Sequence, residues 1–209
     1  MAVLVHLVRH GEVENPRALS YGRLPGFRLS EAGRAQALGA AQYLRSYGGD
    51  VVHMSTSPLE RAIETAEIIA TTLGLPPPMT DERLIEASSW RDGLPRALAP
   101  LTYVRRYFNA TDRQKIESPV LVAERMFATI RDALGYLRND GAAAVLVSHQ
   151  APISWAKVAV ERGVEAIGHA FVANITPWVY VRGPCELASV TTLVYETPTS
   201  KPHIRYFSP

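Results

Sequence analysis

Short apolar runs alternate along this chain with stretches of helical spacing, and each run ends abruptly in polar or glycine residues. No other feature limits the fold as strongly, because strand–helix alternation is the signature of a parallel sheet covered on both faces. The first run, Ala2 to Val8, stops at Arg9-His10-Gly11. A second, Val51-Val52-His53-Met54, leads into Ser55-Thr56-Ser57-Pro58, and a third, Ala142 to Val147, into Ser148-His149-Gln150. Apolar runs this short, bounded by turn residues, read as buried parallel strands. The first helix follows Ser30, continues through the Ala-rich stretch to Leu44 and ends at Gly48-Gly49. The second runs from Leu59 to Leu73, stopped by Gly74 and Pro76-Pro77-Pro78. Val122, Met126, Ile130, Leu134 and Leu137 predict a third over 120–137, and Ile153 to Val160 predicts a fourth. Val190 to Tyr195 and His203 to Phe207 read as closing strands at or near a sheet edge. The predicted fold is α/β: a three-layer sandwich, its central sheet mostly parallel with helices on both faces.

In such sheets ligands bind just beyond the carboxyl ends of the strands. Arg9 and His10 therefore stand at the mouth of a site, with Gly11 letting the backbone turn closely past a ligand. A guanidinium beside an imidazole suits phosphate, since one binds its oxygens and the other can attack phosphorus. Ser57 is positioned to cap the second helix and Pro58 to occupy its first turn. Arg61 then lies where the N-terminal amides already favour an anion. The three strand ends thus offer two arginines and two histidines. Each has a plainer alternative: His10 as a structural histidine, His149 as a strand-end cap, Arg61 as a solvated charge paired with Glu60 or Glu64.

Four segments carry a resemblance. Leu7-Val8-Arg9-His10-Gly11-Glu12-Val13-Glu14-Asn15, Leu29-Ser30-Glu31-Ala32-Gly33-Arg34-Ala35-Gln36-Ala37, Ser55 through Ala66, and Val147-Ser148-His149 follow one another in order and spacing. The chain from its start to about residue 160 resembles the histidine phosphatase superfamily, also called the phosphoglycerate mutase-like group, and more narrowly a little-characterised actinobacterial branch of it. The resemblance implies that His10 is a nucleophile forming a phosphohistidine, and that Arg9, Arg61 and His149 clamp the phosphoryl oxygens. It implies Asn15 as a further donor to those oxygens and Glu86 as the acid that protonates the leaving group. Glu12 is the rival acid, and Asn15 before Pro16 also suits an Asx-type turn. No metal or other cofactor is implied.

The chain departs from the family pattern in three places. The loop Tyr21 to Arg28 replaces a shorter one that commonly carries an Asp, and Gln150 stands where a Gly usually follows the second histidine. The acid segment Leu84 to Gly93 keeps Glu86 and Trp90 in register without the customary His and Gly. These departures bear on the substrate more than on the chemistry. Arg23, Arg28, Arg91, Arg96, Arg105 and Arg106 could read carboxylates or further phosphates, or be solvated charges. His6, His53, His169 and His203 lie outside the constellation and read as structural or exposed, Trp90 and Trp178 as packing.

The remaining expectations come from composition. With 209 residues and 47% hydrophobic content, the chain can bury the core of one domain, 1–209, carrying a partly helical insertion over the active site at about 87–118. Lys and Arg number 22 against 20 Asp and Glu, so neither a nucleic-acid footprint nor a polybasic membrane patch is expected. The single cysteine, Cys185, fits a reducing compartment, the first strand leaves no leader, and no apolar stretch reaches the ~18–20 residues of a membrane span. The expected location is the cytoplasm. The expected function is a metal-independent phosphomonoesterase acting on a small phosphorylated metabolite. The alternatives are a phosphoglycerate-type mutase, which must exclude water, and a non-catalytic phospho-ligand or protein-binding module.

Overall fold

The structure, a computed structural model, describes residues 2–98, 117–138, 140–165, 167, 185–197 and 199–209. In chain order the main elements are β1 (Val3–Arg9), α1 (Glu31–Tyr47), β2 (Asp50–Thr56), α2 (Glu60–Leu73) and β3 (Met79–Thr80). They continue with α3 (Pro119–Leu134), β4 (Ala142–Ser148), α4 (Gln150–Arg162), β5 (Val190–Tyr195) and β6 (His203–Phe207). The sheet runs β3-β2-β4-β1-β5-β6. Its first four members are parallel neighbours, while β5 is antiparallel to β1 and β6 antiparallel to β5. The expected α/β sandwich with a mostly parallel sheet is the fold observed.

Because side chains alternate across a strand, β1 feeds two cores. Val3, Val5 and Leu7 pack with Met126 and Ile130 of α3 and Ile153 and Ala156 of α4. Val8, on the opposite face, packs with Ala40, Ala41 and Leu44 of α1 and Ala62, Ala66 and Ile69 of α2. The apolar runs are continuous because both faces are covered.

The helix ends refine the sequence reading. Ser30 caps α1, its hydroxyl accepting from the Gly33 N–H at 3.0 Å, and Gly48 ends it as expected. Ser57 does not occupy the cap position of α2, which is Leu59 with no side-chain bond; the Ser57 hydroxyl accepts the Leu59 N–H at 3.4 Å, two residues ahead of the helix. Gly74 ends α2 in the left-handed conformation, φ 71°. Helix α3 stops at Leu134 and Gly135, three residues short of the predicted end, although Leu137 remains buried. Helix α4 begins at Gln150 rather than Ile153, since His149 supplies its cap position. The two-residue β3 was invisible to periodicity, being too short to show a period. Of the segment 87–118, residues 87–98 carry turns and a 3₁₀ turn at Arg96–Leu98, and 99–116 lie outside the described residues, with Arg105 and Arg106. His169 and Trp178 also lie outside them. Among the described residues no helix is long and apolar enough to cross a membrane.

His6 is buried in β1, its Nδ1 2.9 Å from the Thr192 hydroxyl and its ring edge-on to Tyr47. Burial lowers its pKa to about 4. Below pH 6.5 the unfolded chain therefore binds a proton that the folded chain refuses. The stabilisation is complete above pH 6.5 and is lost as pH falls towards 4, at about 1.4 kcal/mol per pH unit. Urea unfolding from pH 7 to pH 4.5 should show this slope, reduced by about that amount in His6→Gln. An unchanged slope in the variant would remove His6 from the acid response.

Candidate active site

Sheet register assembles the site. Arg9 of β1 sits opposite Ser148 of β4, and Thr56 of β2 opposite Val147, so Ser57 falls level with Ser148 and Arg9, and His149 and His10 share the next row. The ladder continues past the strand ends: the His10 N–H donates to the Ser148 carbonyl at 3.1 Å and the Ser57 N–H to the Val147 carbonyl at 2.9 Å. Ser57, His149 and His10 thereby share one edge of the sheet.

His10 is 1% exposed. Its Nδ1 lies 2.7 Å from the Gly11 carbonyl, an acceptor only, so Nδ1 carries the ring hydrogen and Nε2 keeps its lone pair. The Arg61 Nε–H points at that nitrogen from 3.3 Å. Burial, then Arg61 and then Arg9 hold the His10 pKa well below its ordinary value, against the opposing pull of the Gly11 carbonyl. The ring is therefore neutral and its free nitrogen faces the guanidinium. Gly11 serves a different contact from the one expected: a Cβ there would lie 2.4 Å from the Gly33 carbonyl oxygen, so the glycine lets this turn lie against the first turn of α1. Thr65 of α2 holds the same turn, accepting from the Gly11 N–H at 3.2 Å while donating to the Arg61 carbonyl at 2.7 Å.

Arg61 is fully buried. Its Nη2 donates to the Gly22 carbonyl at 2.5 Å, the Tyr21 ring lies 4.8 Å from the guanidinium carbon, and Nη1 has no partner among the described residues. Among the described residues no carboxylate pairs with it directly. Burial lowers its pKa, opposed in turn by Tyr21, Glu86, Glu60 and Asp92 at longer range. Arg9 donates through Nη1 to the Cys185 carbonyl at 2.7 Å, and its Nε has no partner among the described residues. His149 is fully buried, its ring centroid 5.1 Å from that of His10, with Nε2 2.7 Å from the Ser57 hydroxyl and Nδ1 without a partner among the described residues. Its pKa is also held well below the ordinary value, by burial first and then by Arg61, His10, Arg9 and Arg125. Three buried nitrogens, one each from Arg9, Arg61 and His149, thus lack partners among the described residues. An unpaired buried donor costs about 1–3 kcal/mol, so such a cluster is poised for an acceptor.

The carboxylates take distinct places. Glu86 anchors one oxygen, Oε1, on the Ala87 N–H at 2.8 Å and the Ala151 N–H at 3.2 Å in the first turn of α4. Glu12 accepts the Ser30 hydroxyl at 2.8 Å and serves the loop beside α1. Asn15 is committed to its own turn, accepting from the Leu19 N–H at 2.9 Å and donating to the Leu19 carbonyl at 2.8 Å. That geometry is the turn reading of Asn15, and it uses one of the two hydrogens on Nδ2. Arg23, from the Tyr21–Arg28 loop, donates to the Glu86 carbonyl at 2.6 Å and pairs with Glu117 at 2.7 Å, which ties the loop to the acid segment. A cleft of about 670 Å³ opens beside the cluster, lined by Arg9, Glu12, Asn15, Tyr21, Ser30 and Arg96 among others. Among the described residues no three His, Cys, Asp or Glu side chains gather as metal ligands.

Sequence reasoning missed Ser57 as a partner of His149, Thr65 as a support and the Gly22 carbonyl against Arg61. For Ser57 a signal existed: it is the residue after β2 just as His10 and His149 follow β1 and β4.

Residues 5–195 match the family model of the histidine phosphatase superfamily, branch 1. Uncharacterised protein Rv0525 of Mycobacterium tuberculosis is 36% identical over 200 residues, covering 92% of this chain and 90% of the relative. A 2,3-bisphosphoglycerate-dependent phosphoglycerate mutase of Thermoplasma acidophilum is 38% identical over 81 residues, 38% of this chain and 39% of that protein. The solved structure of a mycobacterial glucosyl-3-phosphoglycerate phosphatase superposes with a TM-score of 0.72 at 25% identity, covering 100% of this chain and 98% of the other.

Proposed function

Because the chain belongs to the histidine phosphatase superfamily, we propose that it is a metal-independent phosphomonoesterase working through a phosphohistidine on His10. The family and its neighbours support an activity of phosphatase or mutase type. The observation that carries the finer reading is the His10 ring: neutral, hydrogen-bonded through Nδ1, with the Nε2 lone pair met only by the long Arg61 Nε–H contact at 3.3 Å among the described residues, beside buried nitrogens of Arg9, Arg61 and His149 that have no partner there. A phosphoryl group placed there meets a nucleophile on one side and donors to its oxygens on the others.

In this mechanism the Nε2 lone pair of His10 bonds to phosphorus as the ester P–O bond breaks, and the departing alkoxide takes a proton from the Glu86 carboxyl. The Glu86 carboxylate then takes a proton from a water that attacks the phosphohistidine, releasing inorganic phosphate and restoring His10. Arg9 and Arg61 supply the fixed positive charge that phosphoryl transfer requires. Glu86 suits its role because both backbone bonds fall on Oε1 and Oε2 makes none among the described residues. The adjacent cleft has the size of a small-molecule site, which fits a phosphorylated metabolite rather than a macromolecule.

Steady release of inorganic phosphate from p-nitrophenyl phosphate in the presence of a chelator tests the proposal. No release would favour the binding-module reading, and isomerisation of 3-phosphoglycerate without net release would favour the mutase. Glu86→Gln should slow phosphorylation of His10 by an alkyl phosphate ~10²–10⁴-fold, since that leaving group needs a proton. The same step with p-nitrophenyl phosphate should be much less affected, because p-nitrophenolate leaves largely unaided. Single-turnover bursts separate the steps, and equal loss with both esters would move the acid role to Glu12.

A further inference from the structure

The Ser57 hydroxyl occupies a position no motif explains. The residue is fully buried, one step past β2, and does not cap the helix that follows. Its oxygen accepts the Leu59 N–H at 3.4 Å and lies 2.7 Å from Nε2 of His149. Either of the latter two atoms could carry the shared hydrogen, so the surroundings decide. The Ser57 hydroxyl hydrogen has no acceptor other than His149 Nε2 among the described residues, whereas its oxygen already receives an N–H. Were Nε2 protonated instead, Nδ1 would be a bare, buried lone pair without a donor among the described residues, on a ring 5.1 Å from that of His10. A lone pair facing phosphoryl oxygens repels them, while an N–H there binds them.

We propose that Ser57 is a positioning residue that fixes His149 as the Nδ1–H tautomer, through a chain running from the Leu59 N–H to the Ser57 hydroxyl to His149 Nε2. The depressed His149 pKa agrees, because a neutral ring must choose one nitrogen for its hydrogen. His10 and His149 then hold the same tautomer for opposite purposes. Gly11 takes the His10 Nδ1–H so that Nε2 is left to attack; Ser57 occupies the His149 Nε2 so that Nδ1–H is left to donate. The inference rests on the phosphoryl-transfer reading for its purpose, but not for its geometry.

The test separates the two. Two-dimensional ¹⁵N NMR of histidine-labelled protein reports tautomers directly, whatever the activity. In the wild type, His149 should show a protonated Nδ1 and an unprotonated Nε2 at pH 7. Ser57→Ala should shift His149 towards the Nε2–H form, and Ser57→Thr, which keeps the hydroxyl, should restore the wild-type pattern. Orthovanadate should bind Ser57→Ala roughly 10–100-fold more weakly, the range seen when a group orienting an imidazole is removed. Phosphate release should fall by a similar factor, mainly in kcat. A wild-type His149 protonated on Nε2, or an unchanged tautomer in a folded Ser57→Ala, would overturn the proposal. If the alanine variant does not fold, the wild-type spectrum decides alone. An inactive protein with the expected tautomers and vanadate affinity would sink the phosphatase reading and leave the role of Ser57 standing.

Discussion

His10→Ala should leave no measurable turnover, a loss of at least ~10³-fold, under conditions where the variant is folded. The expectation follows from the division of labour on the ring. Nδ1 is spent on the Gly11 carbonyl, and Nε2 keeps its lone pair, met by the Arg61 Nε–H only at 3.3 Å. Removing the ring deletes the bond-forming atom and also leaves a cavity and the Gly11 carbonyl without its donor, so the unfolding midpoint should fall and turnover is compared well below it. Reaction with a phosphodonor should leave an acid-labile, base-stable label on wild-type His10 and none on the variant. Substantial phosphate release by His10→Ala would falsify nucleophilic catalysis at this position.

Arg61→Met should abolish turnover, by ~10³–10⁵-fold, and raise the unfolding midpoint. Arg61 is fully buried, has no direct carboxylate partner among the described residues, and leaves Nη1 unbonded. A buried charge so poorly compensated opposes folding, and an apolar side chain of similar length should recover about 1–3 kcal/mol. For a chain of this size that corresponds to a rise of about 2–4 °C for each kcal/mol. Phosphate or orthovanadate should raise the wild-type midpoint further and leave that of Arg61→Met unmoved, because only the wild type binds it. A lower midpoint in the variant would mean that the Gly22 carbonyl and Tyr21 ring compensate the charge fully, and that the site stores no such strain.

Much of this was legible from local pattern. Ala142 to Val147 could only be a doubly covered strand, and His149 had to follow it; the same holds for β1 and His10. Ser30 and Gly48 marked both ends of α1 because capping is a property of a few adjacent residues. The rest depends on what strands place side by side. Nothing local says that β4 lies between β1 and β2, yet that order brings Ser57 beside His149. Ser57 was read as a helix cap because capping is what a Ser before Pro does in isolation, and the competing imidazole lies 92 residues away in sequence. Asn15 was assigned outward by resemblance, whereas the backbone four residues on, at Leu19, satisfied its amide first. Gly22 has no side chain to announce that its carbonyl meets Arg61.

The continuation of the sheet ladder past the strand ends has a consequence for hydrogen–deuterium exchange. The amides of Arg9, His10 and Ser57 donate to the carbonyls of Ser189, Ser148 and Val147 at the carboxyl ends of three interior strands of the sheet. They should exchange only when the whole domain opens, at the slowest rate in the molecule. The amides of Arg23 and Gly26 instead donate to the carboxylates of Asp92 and Glu60 from a partly exposed loop, and should exchange through local opening. Reactive groups and their cover would then belong to separate cooperative units. Substitutions in the Tyr21–Arg28 loop could retune access to the pocket without loosening the backbone that aligns the two histidines.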